Sequence, residues 1–256
     1  MSDAIFAGRT ALVTGASRGI GAATARTIAA HGAFTIIHYA ASQGAAEAVV
    51  DDIRAAGGRA ATLRCDLSDS AAIPAMFTEV DALLQRETGA TRLDFLVNNA
   101  GVGKTASISE TTPEDWDQVM DLNMKALFFV SQQAIDRLGE GGRIVNIGSV
   151  NGRGAQPARA VYSASKIGVK GLTRSFAAAL GARGITVNAI APGAVATDFT
   201  TALRAQPQIM EQISGMTAMG RIGEPQDIAD SVLLLLRPEA HWITGQTIEA
   251  SGGLRL

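Results

Sequence analysis

Tyr162 and Lys166 stand four residues apart in the run Tyr162-Ser163-Ala164-Ser165-Lys166. On a helix, positions i and i+4 emerge from one face, about 6 Å apart along the axis. A free phenol ionises near pH 10, too high for efficient proton exchange at neutrality. A nearby ammonium stabilises the phenolate, and each tenfold gain in acidity corresponds to about 1.4 kcal/mol. The pair thus makes a phenol into a candidate general acid or base. Ile167, Leu172, Phe176 and Leu180 are the expected buried face of the helix. Alone, this spacing also arises by chance on solvated helices, so its weight comes from its surroundings.

Ser149 lies thirteen residues before Tyr162, just after the β-branched run Arg143–Ile147. A hydroxyl at the carboxyl end of a strand sits where open α/β sheets bind ligands. Asn98-Asn99-Ala100-Gly101 follows the run Leu93–Val97, and Pro192-Gly193 follows Ile185–Ile190. Small residues and amides at such an edge suit close approach of a ribose. Asn123 falls in a helical stretch, where asparagine has low propensity.

A second constellation opens the chain. The run Thr10–Thr14 leads into Gly15-Ala16-Ser17-Arg18-Gly19-Ile20-Gly21 and then a helix to about Ala30. Gly15 permits the tight turn, Gly19 lets the backbone approach a pyrophosphate at the positive helix end, and Gly21 allows close helix–strand packing. Gly15, Ser17, Arg18, Gly19, Ile20 and Gly21 are the cofactor contacts expected here. A dinucleotide site for NAD places an acid at the end of the second strand to hold the ribose. That stretch reads His38-Tyr39-Ala40-Ala41-Ser42, without a carboxylate before Glu47. The gap leaves room for a 2′-phosphate, with Arg18 as counter-charge and Ser42 as donor. NADP(H) is therefore favoured over NAD(H), with Tyr39, Ala40 and Ser42 beside the ribose.

The elements that must position these groups follow from patterning. Seven strand candidates, Thr10–Thr14, Ala33–Tyr39, Ala60–Arg64, Leu93–Val97, Arg143–Ile147, Ile185–Ile190 and Thr247–Ala250, alternate with helical segments. Several are apolar throughout, as strands buried on both faces of a parallel sheet are. Thr112-Pro113-Glu114-Asp115 and Glu224-Pro225-Gln226-Asp227 read as helix starts, and Gly32, Gly57, Gly89 and Gly184 as stops. Pro74 predicts a delayed start or a kink in the helix opening near Ser70. The pattern predicts one doubly wound α/β domain over 1–256, a Rossmann domain with a seven-stranded parallel sheet and helices on both faces. No stretch reads as a linker or a repeat. Residues 194–223 carry no strand and are the expected lid, with Phe199, Leu203, Met210, Ile213, Met216 and Met219 as its apolar residues.

Composition narrows the partners. The 256 residues carry a net charge of −2, which gives no electrostatic case for nucleic acid or a membrane surface. The run Val232–Leu236 is far short of the roughly 20 apolar residues of a membrane span. Residues 1–9 lack a signal-like start, and the single Cys65 excludes an intrachain disulfide, so the expected setting is cytoplasmic. The histidines and the lone cysteine have no zinc-site spacing, and no metal is expected.

Taken together, these motifs resemble the short-chain dehydrogenase/reductase family, in its compact one-domain form, over roughly residues 8–253. The matching positions are Thr14-Gly15-x-x-x-Gly19-x-Gly21, Asp66, Asn98-Asn99-Ala100-Gly101, Asn123, Ser149, Tyr162-x-x-x-Lys166, Pro192-Gly193 with Thr197, and Ser251-Gly252-Gly253. The resemblance implies that Tyr162 exchanges the proton, Ser149 holds the substrate oxygen and Lys166 lowers the tyrosine pKa and binds the nicotinamide ribose. It implies that Asn123 positions a water, that Asp66 and Leu67 contact adenine, and that Val195 and Thr197 hold the carboxamide. Asn99, Ala100, Gly101, Pro192 and Gly193 complete the expected cofactor set. The substrate would be a small carbonyl compound or alcohol, and the assembly a homotetramer.

Within the family, Arg183-Gly184-Ile185-Thr186-Val187-Asn188 and Trp242-Ile243-Thr244-Gly245-Gln246 resemble 3-oxoacyl thioester reductases. Gly139-Glu140-Gly141-Gly142 lacks the basic residues expected of a carrier-protein contact, leaving Arg183 for that role. Arg153 and Arg159 are candidate contacts for a substrate anion. The alternatives are an NAD-dependent alcohol or polyol dehydrogenase and a cofactor-binding sensor without turnover. An enoyl reductase would space its tyrosine and lysine further apart, and an extended-type epimerase would be longer.

Overall fold

The computed structural model describes residues 4–153 and 156–256. Strands β1 (Thr10–Val13), β2 (Phe34–Tyr39), β3 (Arg59–Arg64), β4 (Leu93–Asn98), β5 (Leu138–Ile147), β6 (Thr186–Pro192) and β7 (Thr247–Ala250) form one sheet in the order β3-β2-β1-β4-β5-β6-β7. Every pairing is parallel. β1, β2, β4 and β6 are buried along their whole length, as their unbroken apolar character requires.

The helices are α1 (Gly19–Ala30), α2 (Gln43–Ala55), α3 (Ile73–Thr88), α4 (Pro113–Met120), α5 (Leu127–Ala134), α6 (Ala160–Leu180), α7 (Thr201–Arg204), α8 (Pro207–Gly215) and α9 (Pro225–Leu236). Strand alternation divides the core between them. Ala11 and Val13 of β1 face α1, α2 and α9, in a layer with Ile28, Val49 and Val232. Leu12 faces the opposite layer, formed by Phe77 of α3, Val130 of α5 and Phe176 of α6. None of the described helices is long and apolar enough to cross a membrane.

Local chemistry sets the boundaries. Pro74 does delay its helix: a 3-10 turn over Ser70–Ala72, capped by Asp69, precedes α3. Gly89 closes α3 in the left-handed conformation at φ 78°. The fifth strand starts earlier than Arg143. Leu93 pairs with Leu138 but Phe95 pairs with Arg143, so the glycines between them bulge out and the register then resumes. Ile167 is not part of the buried face expected for its helix. It is 51% exposed, because Val169, Thr173, Phe176 and Leu180 define the inward stripe, one residue out of phase with it.

Between α4 and α5 the backbone winds as a π-helix over Asp121–Ala126. Such segments are rare and cluster at functional sites. Residues 194–223 contain no sheet strand; a single bridge between Val195 and Gly223 pins the two ends of the segment together.

Candidate active site

The strand order reverses between β1 and β4, and the groups singled out by sequence converge there, at the carboxyl ends of the strands. β5 ends at Ile147 and delivers Ser149, which is buried, with its Oγ accepting from Asn151 N at 3.1 Å. The first turn of α6 brings Tyr162 to a hydrogen bond with the Ser149 side chain. One turn on, Lys166 lies below the phenol, Nζ 5.9 Å from the ring centroid and 2.8 Å from the Ile147 carbonyl oxygen to which it donates.

The electrostatics differ from the simple reading of the pair. Burial raises the Tyr162 pKa, opposed by its bond with Ser149 and by the Arg159 charge. The Lys166 ammonium spends a hydrogen bond on the Ile147 carbonyl, and burial is the largest influence on the phenol. Burial of Lys166 lowers its own pKa to about 8. The arrangement holds a protonated phenol beside a hydroxyl, above a cation whose charge is sensitive to pH.

Asn123 sits within the π-helix and is buried. Its Nδ2 donates to the Val102 carbonyl (2.9 Å) and to Ser165 Oγ (3.1 Å), while its Oδ1 accepts from Val102 N (2.9 Å). Ser165 in turn donates to the Tyr162 carbonyl at 2.7 Å. The amide therefore ties the loop after β4 to the helix that carries Tyr162. A Cβ on Gly101 would lie 3.0 Å from Asn123 Oδ1 and 3.5 Å from Lys166 Nζ.

Behind this group lies a polar network that sequence reading missed. Asn98 Nδ2 donates to Ser131 Oγ and to Asn146 Oδ1, both at 2.9 Å. Asn146 Nδ2 donates to Thr173 Oγ1 at 3.0 Å, which donates to the Val169 carbonyl. Buried amides in consecutive strands, flanked by helical hydroxyls, were the available signal. The network joins β4, β5, α5 and α6 in the low-dielectric interior, where satisfied hydrogen bonds specify geometry strongly.

The glycine loop is built as its spacing predicts. Gly15 and Gly19 adopt φ of +61° and +56°, and a Cβ on Gly15 would meet Ala100 Cα at 2.8 Å. A Cβ on Gly21 would lie 2.5 Å from Asn99 Nδ2. Asn99 spends its amide on the Thr14 and Gly15 carbonyls, each at 2.9 Å, so it builds the loop rather than facing the edge. His38 has no role in the sequence reading. It is buried, accepts from Gly15 N at Nδ1 (3.1 Å), and faces the Cys65 carbonyl through Nε2 (3.0 Å).

α1 begins without a side-chain cap, in contrast to α4 and α9, which carry capping boxes. The amides around Ser17, Arg18, Gly19, Ile20 and Gly21 thus end in an uncapped helix terminus suited to a phosphate. Thr197 reaches this terminus from the opposite side, with Cγ2 3.3 Å from where a Cβ on Gly19 would sit. Ala40 is exposed, and Ser42 precedes α2 with an unused hydroxyl as cap. Tyr39 and Leu67 depart from the expected contacts: both side chains belong to the core, with Tyr39 beside α2 and Leu67 beside α3. Asp66 is exposed and folds onto Ser68, which holds its carboxyl below the usual range. Arg64, which sequence reading passed over, is exposed at the end of β3 with Nε 3.4 Å from the Ala40 carbonyl. Its signal was the strand register, which places it opposite Tyr39.

Pro192 ends β6, Gly193 N donates to the Ala250 carbonyl, and Val195 is buried at the base of the lid. Of the lid side chains, Phe199 rather than a methionine reaches the site. Its ring lies 5.7 Å from that of Tyr162, and a Cβ on Gly103 would overlap it. Met216 and Met219 are exposed.

Comparison with known proteins decides the family. A family model described as enoyl-(acyl carrier protein) reductase matches residues 15–255. A 3-oxoacyl-[acyl-carrier-protein] reductase of a Synechocystis species is 41% identical, over 95% of this chain and 96% of its own length. A hydroxynaphthalene reductase-like protein of Metarhizium brunneum is 40% identical, over 97% and 95%. The crystal structure of an angucycline C-6 ketoreductase with bound NADP superposes with a TM-score of 0.93 at 42% identity, over 98% of this chain and 96% of that one. The chain belongs to the short-chain dehydrogenase/reductase family. As a member, it is an NAD(P)-dependent oxidoreductase acting on a carbonyl or the corresponding alcohol. The left-handed glycines and the uncapped start of α1 fit the dinucleotide that such an enzyme requires.

Proposed function

We propose that this oxidoreductase is an NADPH-dependent ketone reductase with Tyr162 as its general acid. The observation that carries the reading is the buried Tyr162 phenol, hydrogen-bonded to Ser149 and seated over Lys166. Ser149 donates to the carbonyl oxygen and orients it. Tyr162, kept protonated by burial, gives its proton to that oxygen as negative charge develops on it; an alkoxide is a far stronger base than a phenolate, so the transfer is downhill. Lys166, charged below about pH 8, stabilises the phenolate left behind. Bound NADPH supplies the hydride to the carbonyl carbon. Asn123 keeps α6 and the loop at Gly101 in register while this happens.

Gly15, Ser17, Gly19, Ile20 and Gly21 would hold the pyrophosphate, and Arg18, Ser42 and Arg64 the 2′-phosphate. Asp66 and the backbone at Leu67 would meet adenine. Gly101, Pro192, Gly193 and Thr197 would flank the nicotinamide. The NADP bound to the ketoreductase neighbour supports this choice. The four-residue spacing of Tyr162 and Lys166 supports carbonyl over enoyl reduction.

A free ketone fits better than a carrier-bound one. Glu140 is exposed where a carrier would dock, and Arg183 donates to the Ile135 and Leu138 carbonyls within its own fold. A neighbouring ketoreductase structure holds NADP with rabelomycin, in line with a free ring-system substrate. The apolar face exposed by Phe128, Phe129 and Ile167 supports the homotetramer as the working assembly, and the 256 residues act as one domain with 194–223 as lid.

Turnover of a ketone panel with NADPH by the wild type and by Tyr162→Phe tests the reading. The variant should bind NADPH as before and lose roughly 10²- to 10⁴-fold in kcat. Unchanged turnover would sink the mechanism.

A further inference from the structure

Two arginines lie in the segment between Ser149 and Tyr162, and the structure treats them differently. Arg153 is committed: it pairs with Glu249 at 2.8 Å and donates to the Leu254 carbonyl. Arg159 meets no carboxylate among the described residues, and is half-buried. Its guanidinium carbon stands 6.0 Å from the Phe199 ring centroid, and that ring stands 5.7 Å from Tyr162. The three groups form a row from the phenol outward, with the two rings tilted at 42° to each other.

The surroundings leave the Arg159 charge uncompensated. It shares a shallow surface pocket with Lys104, Thr111 and Asp115. Asp115 is already taken, since Lys104 Nζ binds it at 2.7 Å and Thr112 closes a capping box with it. One carboxylate thus stands against two cations. The surplus positive charge acts on the active site itself, because Arg159 is one of the influences that draw the Tyr162 phenol downward.

An arginine beside an aromatic ring, with no carboxylate bound to it, keeps its hydrogen-bonding edge free for an oxyanion, and its fork matches a carboxylate in two parallel bonds. Resting on the reductase reading above, we propose that Arg159 forms an anion subsite, so that the substrate is an aryl ketone carrying an ionised oxygen acid on the side away from the nicotinamide. Phe199 stacks on the flat part of that substrate, and Arg159 binds its anionic end. The arrangement selects for charge at a position outside the reacting carbonyl.

The test uses 4-acetylbenzoate and its methyl ester, a pair that differs in charge but hardly in shape. Wild type should show a kcat/KM for the acid at least about tenfold above that for the ester, carried by KM. Arg159→Gln should erase that gap through KM, with any change in kcat shared equally by acid and ester, and Arg159→Lys should restore part of it. Binding of both compounds to the NADPH-loaded protein, followed by calorimetry, reads the subsite without turnover. Tighter binding of the acid, lost in Arg159→Gln, supports the subsite even where no ketone is reduced; in that case the reductase reading fails alone. Equal binding of acid and ester by wild type, or equal loss of both in Arg159→Gln, overturns the subsite and leaves the reductase reading standing.

Discussion

The Gly15 amide donates to Nδ1 of His38 at 3.1 Å, which fixes the imidazole proton on Nε2, facing the Cys65 carbonyl. The ring is thereby held neutral between β1 and the end of β3, and burial lowers its pKa to about 4. The same residue accepts from Ala16 N through its backbone carbonyl. The first turn of the glycine loop is clamped to β2 twice.

This clamp has an acid limit. Between about pH 6.5 and 4 the unfolded chain binds a proton that folded His38 refuses, so its contribution is present above 6.5 and is lost as pH falls through that window. The contribution is at most about 3 kcal/mol. Urea unfolding from about pH 7.5 to about pH 4 should show this loss in wild type and a flatter profile in His38→Gln. Parallel profiles would remove His38 from the account.

On the proposed reading, cofactor choice rests on cations at two strand ends. Arg18, exposed, has only Asp198 as an ion-pair partner among the described residues, at 3.6 Å, a weak surface pair. Arg18→Ala and Arg64→Ala are each expected to weaken NADPH about tenfold, or about 1.4 kcal/mol, with NADH affinity unchanged. Titration of Trp116 and Trp242 fluorescence with both cofactors reads this directly. An equal loss for NADH would assign the arginines to stability instead of the 2′-phosphate.

Lys166 should set the alkaline limit of reduction. With its pKa drawn to about 8, the ammonium under the phenol disappears well before a tyrosine ionises. The kcat/KM profile should fall above about pH 8. Lys166→Arg should move that limb upward, since a guanidinium keeps its charge. A limb that stays in place in the arginine variant would assign it to another group.

The buried amide network predicts a stability cost of a different kind. Asn146→Ala strands the Asn98 and Thr173 side chains without their partner, a loss of roughly 1–3 kcal/mol. Thermal unfolding should register it as a lower Tm. Because α6 loses one of its two ties to β5 described above, kcat should fall while NADPH affinity holds.

Much of this architecture is legible in residue types. Apolar runs mark β1, β2, β4 and β6 most clearly because strands buried on both faces carry one unbroken signal. Gly15, Gly19 and Gly21 declare the loop because only glycine fits there. Other features depend on contacts between distant segments. Nothing local in Ile167 says that it faces outward, since the helical stripe is out of phase by a single residue. Tyr39 stands at a strand end, where a ribose contact is expected, but its ring turns into the core beside α2. His38, Arg64 and the Asn98–Asn146 pair gain meaning only once β1, β2, β3 and β5 are laid side by side.

The π-helix over Asp121–Ala126 also bears on which chain lengths this site can accept. Each residue added to or removed from a helix rotates everything beyond it by about 100°. A one-residue deletion in this segment would rewind it toward the regular pitch. Asn123 and the inward side of α5, which carries Val130 and Ala134, could then no longer face the interior together. The register of insertions and deletions is therefore as tightly specified here as the identity of Asn123, and a swap of this segment between related enzymes must preserve its length before its letters.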